Sequence, residues 1–223
     1  MDALFTTAFE LWGAPTSWLE LVAFALALAM VACNIREIHW GWPLAMLSSA
    51  LYLLLFWRNR LYGDALLQAF FVALALWGWS QWLQGRQTPE DTTQRQALRI
   101  SSMGPRGRLG VVLACMTLWP LTGWFLQRYT DSDVPWWDAF PTAASLVGQV
   151  LLGLKLTENW LVWLIVNLVC IGLFAYKGLW LTTVLYALFS ALSVVGWRAW
   201  RRRRRLAGLA PIEALYQEIL DGL

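Results

Sequence analysis

Charge is scarce in this sequence. Asp, Glu, Lys and Arg supply 14% of its 223 residues and apolar residues 59%, where an ordinary soluble domain carries about 25% charge and 45–50% apolar residues. Apolar runs recur along the whole chain, which leaves no room for a separate soluble domain and points to a polytopic membrane protein. Cysteine is also sparse. Cys33, Cys115 and Cys170 lie within or at the edge of apolar runs and form no C-x-x-C pair, so they read as small buried hydrophobes and not as a disulfide or metal framework. There is one histidine, His39, in a short loop. No H-E-x-x-H motif, phosphate-cradling loop or nucleophile–base pair is present, so neither an enzyme nor a bound cofactor or metal is expected. The opening MDALFTTAFELWGAP lacks a basic leader and carries Asp2 and Glu10. It is expected not to be a cleaved signal. Phe5, Phe9 and Trp12 share a helical face, which predicts an interfacial amphipathic helix over 1–15.

What the chain has in abundance is apolar sequence in lengths near a bilayer's thickness. Seven spans are predicted, at 18–34, 42–57, 62–83, 109–127, 138–154, 160–176 and 178–198. Many of the 17 tryptophans fall near span ends, where indoles favour the headgroup region. The one substantial connection, 84–108, is polar and contains Gly and Pro. With the N-terminus outside, 13 of the 17 cations, including Arg201 to Arg205, fall on the inner side; the orientation is therefore N-out, C-in. The arginine run reads as a cytoplasmic stop-transfer cluster beside anionic lipid and not as a nucleic-acid site. After it, Pro211 to Leu220 predicts a short amphipathic surface helix within the tail 201–223.

A shift of 118 residues places Trp42 on Trp160, and Gly78, Trp79 and Trp82 on Gly196, Trp197 and Trp200. Ser49 then falls on Asn167, and Gln68 on Tyr186. This register implies two duplicated three-helix units, 16–83 and 137–200. A linker span, 109–129, restores the orientation that three helices alone would invert. The expected architecture is all-α, a parallel 3+1+3 arrangement, a symmetry that transporters use to build a midplane site between their halves.

Uncharged hydrogen-bonding residues stripe these spans. They are Ser48, Ser49 and Tyr52 in the second, Gln68 in the third, and Thr142, Ser145 and Gln149 in the fifth. The sixth carries Trp160, Trp163 and Asn167; the seventh carries Thr182, Thr183, Tyr186 and Ser190. Such stripes either join helices or line a cavity. A single hydroxyl readily bonds back to its own helix. A carboxamide has four bonding sites to satisfy, so Gln68, Gln149 and Asn167 are the stronger cavity candidates. Amides match amides and sugar hydroxyls; indole and phenol faces suit a flat ring, more so a cationic one. No Asp, Glu, His, Lys or Arg lies at a span centre, which favours uncoupled movement over proton coupling. Sodium coupling through backbone carbonyls stays open.

Gln68 with Gly78-Trp79-Ser80-Gln81-Trp82, then Trp160-x-x-Trp163-x-x-x-Asn167 and Tyr176, then Tyr186 with Gly196 and Trp200, together resemble the PnuC family of vitamin transporters. The resemblance covers residues 16–200. It implies nicotinamide riboside uptake across a bacterial inner membrane, a fold like the SWEET sugar transporters, passive transport with cytoplasmic phosphorylation trapping the solute, and a homotrimer. It implies substrate contact at Gln68, Trp160, Trp163, Asn167 and Tyr186, with Gln149, Thr183 and Tyr52 as further members. Relatives in the family carry thiamine or riboflavin, so a related vitamin is the alternative. A non-transporting scaffold whose stripes only join helices is a third reading.

Overall fold

The computed structural model describes residues 7–11, 14–58, 62–84, 98–130 and 134–221. Seven helices follow a short hairpin. The hairpin pairs β1 (Thr7–Leu11) with β2 (Ala14–Ser17). The helices are α1 (Trp18–Arg36), α2 (Gly41–Arg58), α3 (Tyr62–Gln84), α4 (Pro105–Tyr129), α5 (Pro135–Gly153), α6 (Asn159–Tyr176) and α7 (Trp180–Asp221). The bounds of α1 to α6 lie close to the first six spans expected from hydropathy, and α7 begins near the start of the seventh. Among the described residues, four stretches are long and apolar enough to cross a membrane: Leu66–Gln84, Pro105–Tyr129, Asn159–Tyr176 and Trp180–Ala207. Large apolar side chains point outward all round, for example Leu51 and Leu54 on α2, Leu113 and Met116 on α4, and Ile165 and Leu168 on α6. In water such a surface is an aggregation liability; in lipid it is the solvated face.

Two expectations are corrected. The segment 1–15 was expected to be an interfacial helix, but its described part is extended, with Leu11 opposite Ala14 in an antiparallel pair. Pro15 has no N–H to give a helix, and Thr7 and Phe9 favour extended backbone. Phe5 and Trp12 lie outside the described residues. The tail was expected to hold a separate short helix, but α7 runs unbroken through the arginines and Pro211 to Asp221. Residues 197 to 207 contain no Gly or Pro, and Arg, Ala and Leu propagate a helix well. At 1.5 Å per residue α7 is about 63 Å long, roughly twice the hydrocarbon thickness, so its second half projects beyond the bilayer.

Neighbouring helices pair as α2 with α3, α4 with α5, and α6 with α7; α5 also packs on α3 and α6, and α1 on α2 and α7. Positions 118 apart behave alike in detail. Trp42 lies against Gly78, where an added Cβ would sit 2.2 Å from the indole, and Trp160 lies against Gly196 at 2.6 Å. Each indole therefore needs a bare backbone on the helix it covers. Trp82 Nε1 donates to the Leu152 carbonyl, and Trp200 Nε1 to that of Ile35. Among the described residues, the two non-glycine residues with positive φ, Glu37 and Lys155, are themselves 118 apart. Trp42, Ala75, Leu152, Trp160 and Trp200 form the buried core at this end of the bundle.

Candidate functional site

A cavity of about 880 Å³ lies among the helices. Its side walls come from five of them: Ser48 and Ser49 on α2, Gln68 on α3, Thr142, Ser145 and Gln149 on α5, Trp163, Asn167 and Cys170 on α6, and Tyr186, Phe189 and Ser193 on α7. One end reaches Thr130, Asp138, Lys177 and Leu179. The other is floored by Asn34, Gly41, Trp42, Leu152, Asn159 and Trp160.

Helical spacing explains the walls. Thr142, Ser145 and Gln149 fall at i, i+3, i+7, as do Trp160, Trp163 and Asn167, so each set faces one way. Asn167 is almost fully buried, and its Nδ2 donates to Ser193 Oγ at 3.2 Å across α6 and α7. Ser193 in turn donates to the Phe189 carbonyl. Trp163 rests on the backbone at Gly148. Tyr186 is stacked on Phe174, with ring centroids 5.1 Å apart, and takes the edge of Phe189.

The only charged lining residues among those described are Asp138 and Lys177, which pair at 3.3 Å. The rest of the wall is amide, hydroxyl, indole, phenol and aliphatic. At the floor, four buried polar atoms find no hydrogen-bond partner among the described residues: Asn34 Oδ1, Trp42 Nε1, Asn159 Oδ1 and Trp160 Nε1.

Of the residues singled out by sequence, Gln68, Gln149, Trp160, Trp163, Asn167 and Tyr186 all line this one cavity. Thr183 does not. Its hydroxyl donates to the Leu179 carbonyl at 2.9 Å, one turn back on its own helix, the usual fate of a lone helical threonine. Ser190 does the same with Tyr186. Tyr52 sits on α2, with its side chain outside the described residues. Sequence reasoning missed Asn34, Asn159 and Ser193. The signal was weak for the first two, which stand at span ends where a polar residue is ordinarily solvated.

A family model described as nicotinamide mononucleotide transporter matches residues 17–202. The chain belongs to that family. Relatives within it include the riboflavin/roseoflavin transporter RibM of Streptomyces davaonensis, 29% identical over 206 residues, with 92% of this chain and 94% of RibM covered. The nicotinamide riboside transporter PnuC of Escherichia coli is 25% identical over 217 residues, covering 88% of this chain and 90% of that protein. The crystal structure of the vitamin B3 transporter PnuC superposes with a TM-score of 0.65 at 23% identity, covering 83% of this chain and 81% of that one. That likeness establishes the fold. The family member described here is therefore a PnuC-type vitamin transporter, a multi-pass bacterial membrane protein and not an enzyme.

Proposed function

We propose that this protein carries nicotinamide riboside across the inner membrane by facilitated diffusion. No ion is coupled to the movement, and cytoplasmic phosphorylation traps the solute. The observation that carries the reading is the cavity lining. Gln68, Gln149 and Asn167 offer amide donors and acceptors beside Trp160, Trp163 and Tyr186, and among the described residues the wall between its two ends carries no charged side chain. Nicotinamide riboside is a cationic aromatic amide on a ribose. Its amide and hydroxyls match carboxamides, and its ring suits an indole or phenol face. PnuC, the nicotinamide riboside carrier of E. coli, matches over most of its length.

The same reading gives the chain two parallel three-helix units joined by α4. Support comes from the pairs 118 apart: Trp42 with Gly78 and Trp160 with Gly196 make the same contact, and Trp82 and Trp200 each cross to the other unit. The cation bias supports an N-terminus outside and α7 ending in the cytoplasm. The homotrimer follows from the family resemblance.

Riboflavin is the second reading, favoured by one observation: RibM shares 29% identity with this chain against 25% for PnuC. Calorimetric titration of the purified protein with nicotinamide riboside, riboflavin and thiamine separates the two. Tight binding of nicotinamide riboside with none of riboflavin supports the first; the reverse order defeats it.

A further inference from the structure

Three helices here end in the same backbone device. In α1, Ile38 N–H bonds back to the Cys33 carbonyl at 2.8 Å around Glu37, whose φ is 60°. In α5, Leu156 bonds to Leu151 at 2.9 Å around Lys155, with φ of 50°. In α6, Leu179 bonds to Phe174 at 2.9 Å around Gly178, with φ of 70°. The left-handed residue of this motif is ordinarily glycine. The α6 stop follows that rule. The other two place residues of opposite charge there, in equivalent positions of the chain. A side chain retained where glycine is favoured is explained by what it touches.

These two touch each other. Lys155 Nζ lies 2.9 Å from Glu37 Oε2, and both side chains are largely withdrawn from solvent, at 11% and 23% exposure. Lys155 also sits over the Trp82 ring, 4.7 Å from its centroid. Arg203 on α7 holds the other oxygen of Glu37 at 2.9 Å. The α1–α2 corner, the α5–α6 corner, α3 and α7 thus meet at one ion-pair cluster. Trp42 and Trp160 are buried in the cavity floor, and the buried Trp200 packs edge-on against Trp160 in the same cluster.

We infer that this cluster and the indole layer form the gate at the arginine-rich end of the carrier. The gate is shut in this structure and opens by separating Glu37 from Lys155. The inference rests on the family being transporters and not on which vitamin is carried. Two further features fit a seal that must release. An ion pair exchanges its partner for water more readily than an apolar seam does, because each charge is well solvated once exposed. The floor also buries the four unpartnered atoms of Asn34, Trp42, Asn159 and Trp160. Parting the floor would bring these polar groups within reach of water from the arginine-rich side.

The test reads access to the cavity directly. Ser145 lines the cavity and becomes the reporter as Ser145→Cys, with Cys33, Cys115 and Cys170 changed to Ser. A membrane-impermeant maleimide is applied to proteoliposomes from the side bearing Arg201–Arg205, sidedness being set by protease cleavage of that tail. Lys155→Met keeps the aliphatic stem on Trp82 but removes the charge; Glu37→Gln removes the other. Lys155→Gly is a third variant, since glycine suits that φ without strain. Labelling from the arginine-rich side is expected to rise about tenfold in each, equivalent to about 1.4 kcal/mol. Parent-like labelling from that side in Lys155→Gly and Glu37→Gln, with parent-like melting, overturns the gate.

Discussion

Asn167 donates to Ser193 Oγ at 3.2 Å while lining the cavity, so one amide both joins α6 to α7 and faces the chamber. Cavity lining and helix joining were competing readings of such residues, and here they coexist. The two roles separate by mutation. Ser193→Ala removes the joining bond but leaves the amide; nicotinamide riboside affinity should stay within about threefold, with a loss of about 1 kcal/mol in stability. Asn167→Leu removes both, and affinity should fall about 100-fold. Titration calorimetry and melting in detergent read the two effects.

Gln68 and Gln149 line the cavity, whereas the Thr183 hydroxyl is bonded to its own helix. Gln68→Leu and Gln149→Leu are each expected to weaken binding by about 10- to 100-fold, the range for losing a hydrogen bond in a dry site. Thr183→Val should change affinity by less than about twofold and melting very little. Equal losses at all three positions would mean that the cavity does not hold the solute where the lining suggests.

Gly78 and Gly196 admit Trp42 and Trp160 to within contact of the backbone. An added methyl has nowhere to go. Gly78→Ala and Gly196→Ala should each destabilise by about 1–3 kcal/mol through overpacking, seen as a lower melting temperature. Gly110, where an added Cβ meets nothing within 4 Å, provides the control: Gly110→Ala should melt no lower than the parent.

Much of the fold was legible because the bilayer demands long apolar runs, and α1 to α7 each coincide with or begin in an apolar run of the sequence. The N-terminal hairpin was not, since Phe5, Phe9 and Trp12 mimic an amphipathic helix while Pro15 acts against one. Nor was the unbroken α7: Pro211 reads as the first residue of a separate short helix. Within the site, Gln68, Gln149 and Asn167 stood out because a carboxamide in mid-span is costly unless it has partners. Asn34 and Asn159 did not stand out, because the α1–α2 and α5–α6 corners fold them in to floor the cavity. Thr183 was drawn in by the family resemblance and its place in a polar stripe, and neither says where a hydroxyl bonds.

The arginines at 201–205 lie on the continuation of α7, and Arg203 and Arg204 reach back to Glu37 and Ser102. Replacing Arg201, Arg202 and Arg205 with Gln should lower the fraction inserted with this end inside, while affinity stays within about twofold of the parent. Protease protection in membrane vesicles reads the first and titration the second. Sparing Arg203 and Arg204 keeps the contacts to Glu37 and Ser102 out of the comparison.

The central claim is a chamber that passes nicotinamide riboside without an ion gradient. Counterflow in proteoliposomes tests it most directly: vesicles loaded with unlabelled nicotinamide riboside, equal salt and pH on both sides, and labelled solute outside. Rapid accumulation of label that is abolished by Asn167→Leu is the predicted result. No accumulation of nicotinamide riboside, with brisk counterflow of riboflavin or a strict need for a sodium or proton gradient, would contradict it.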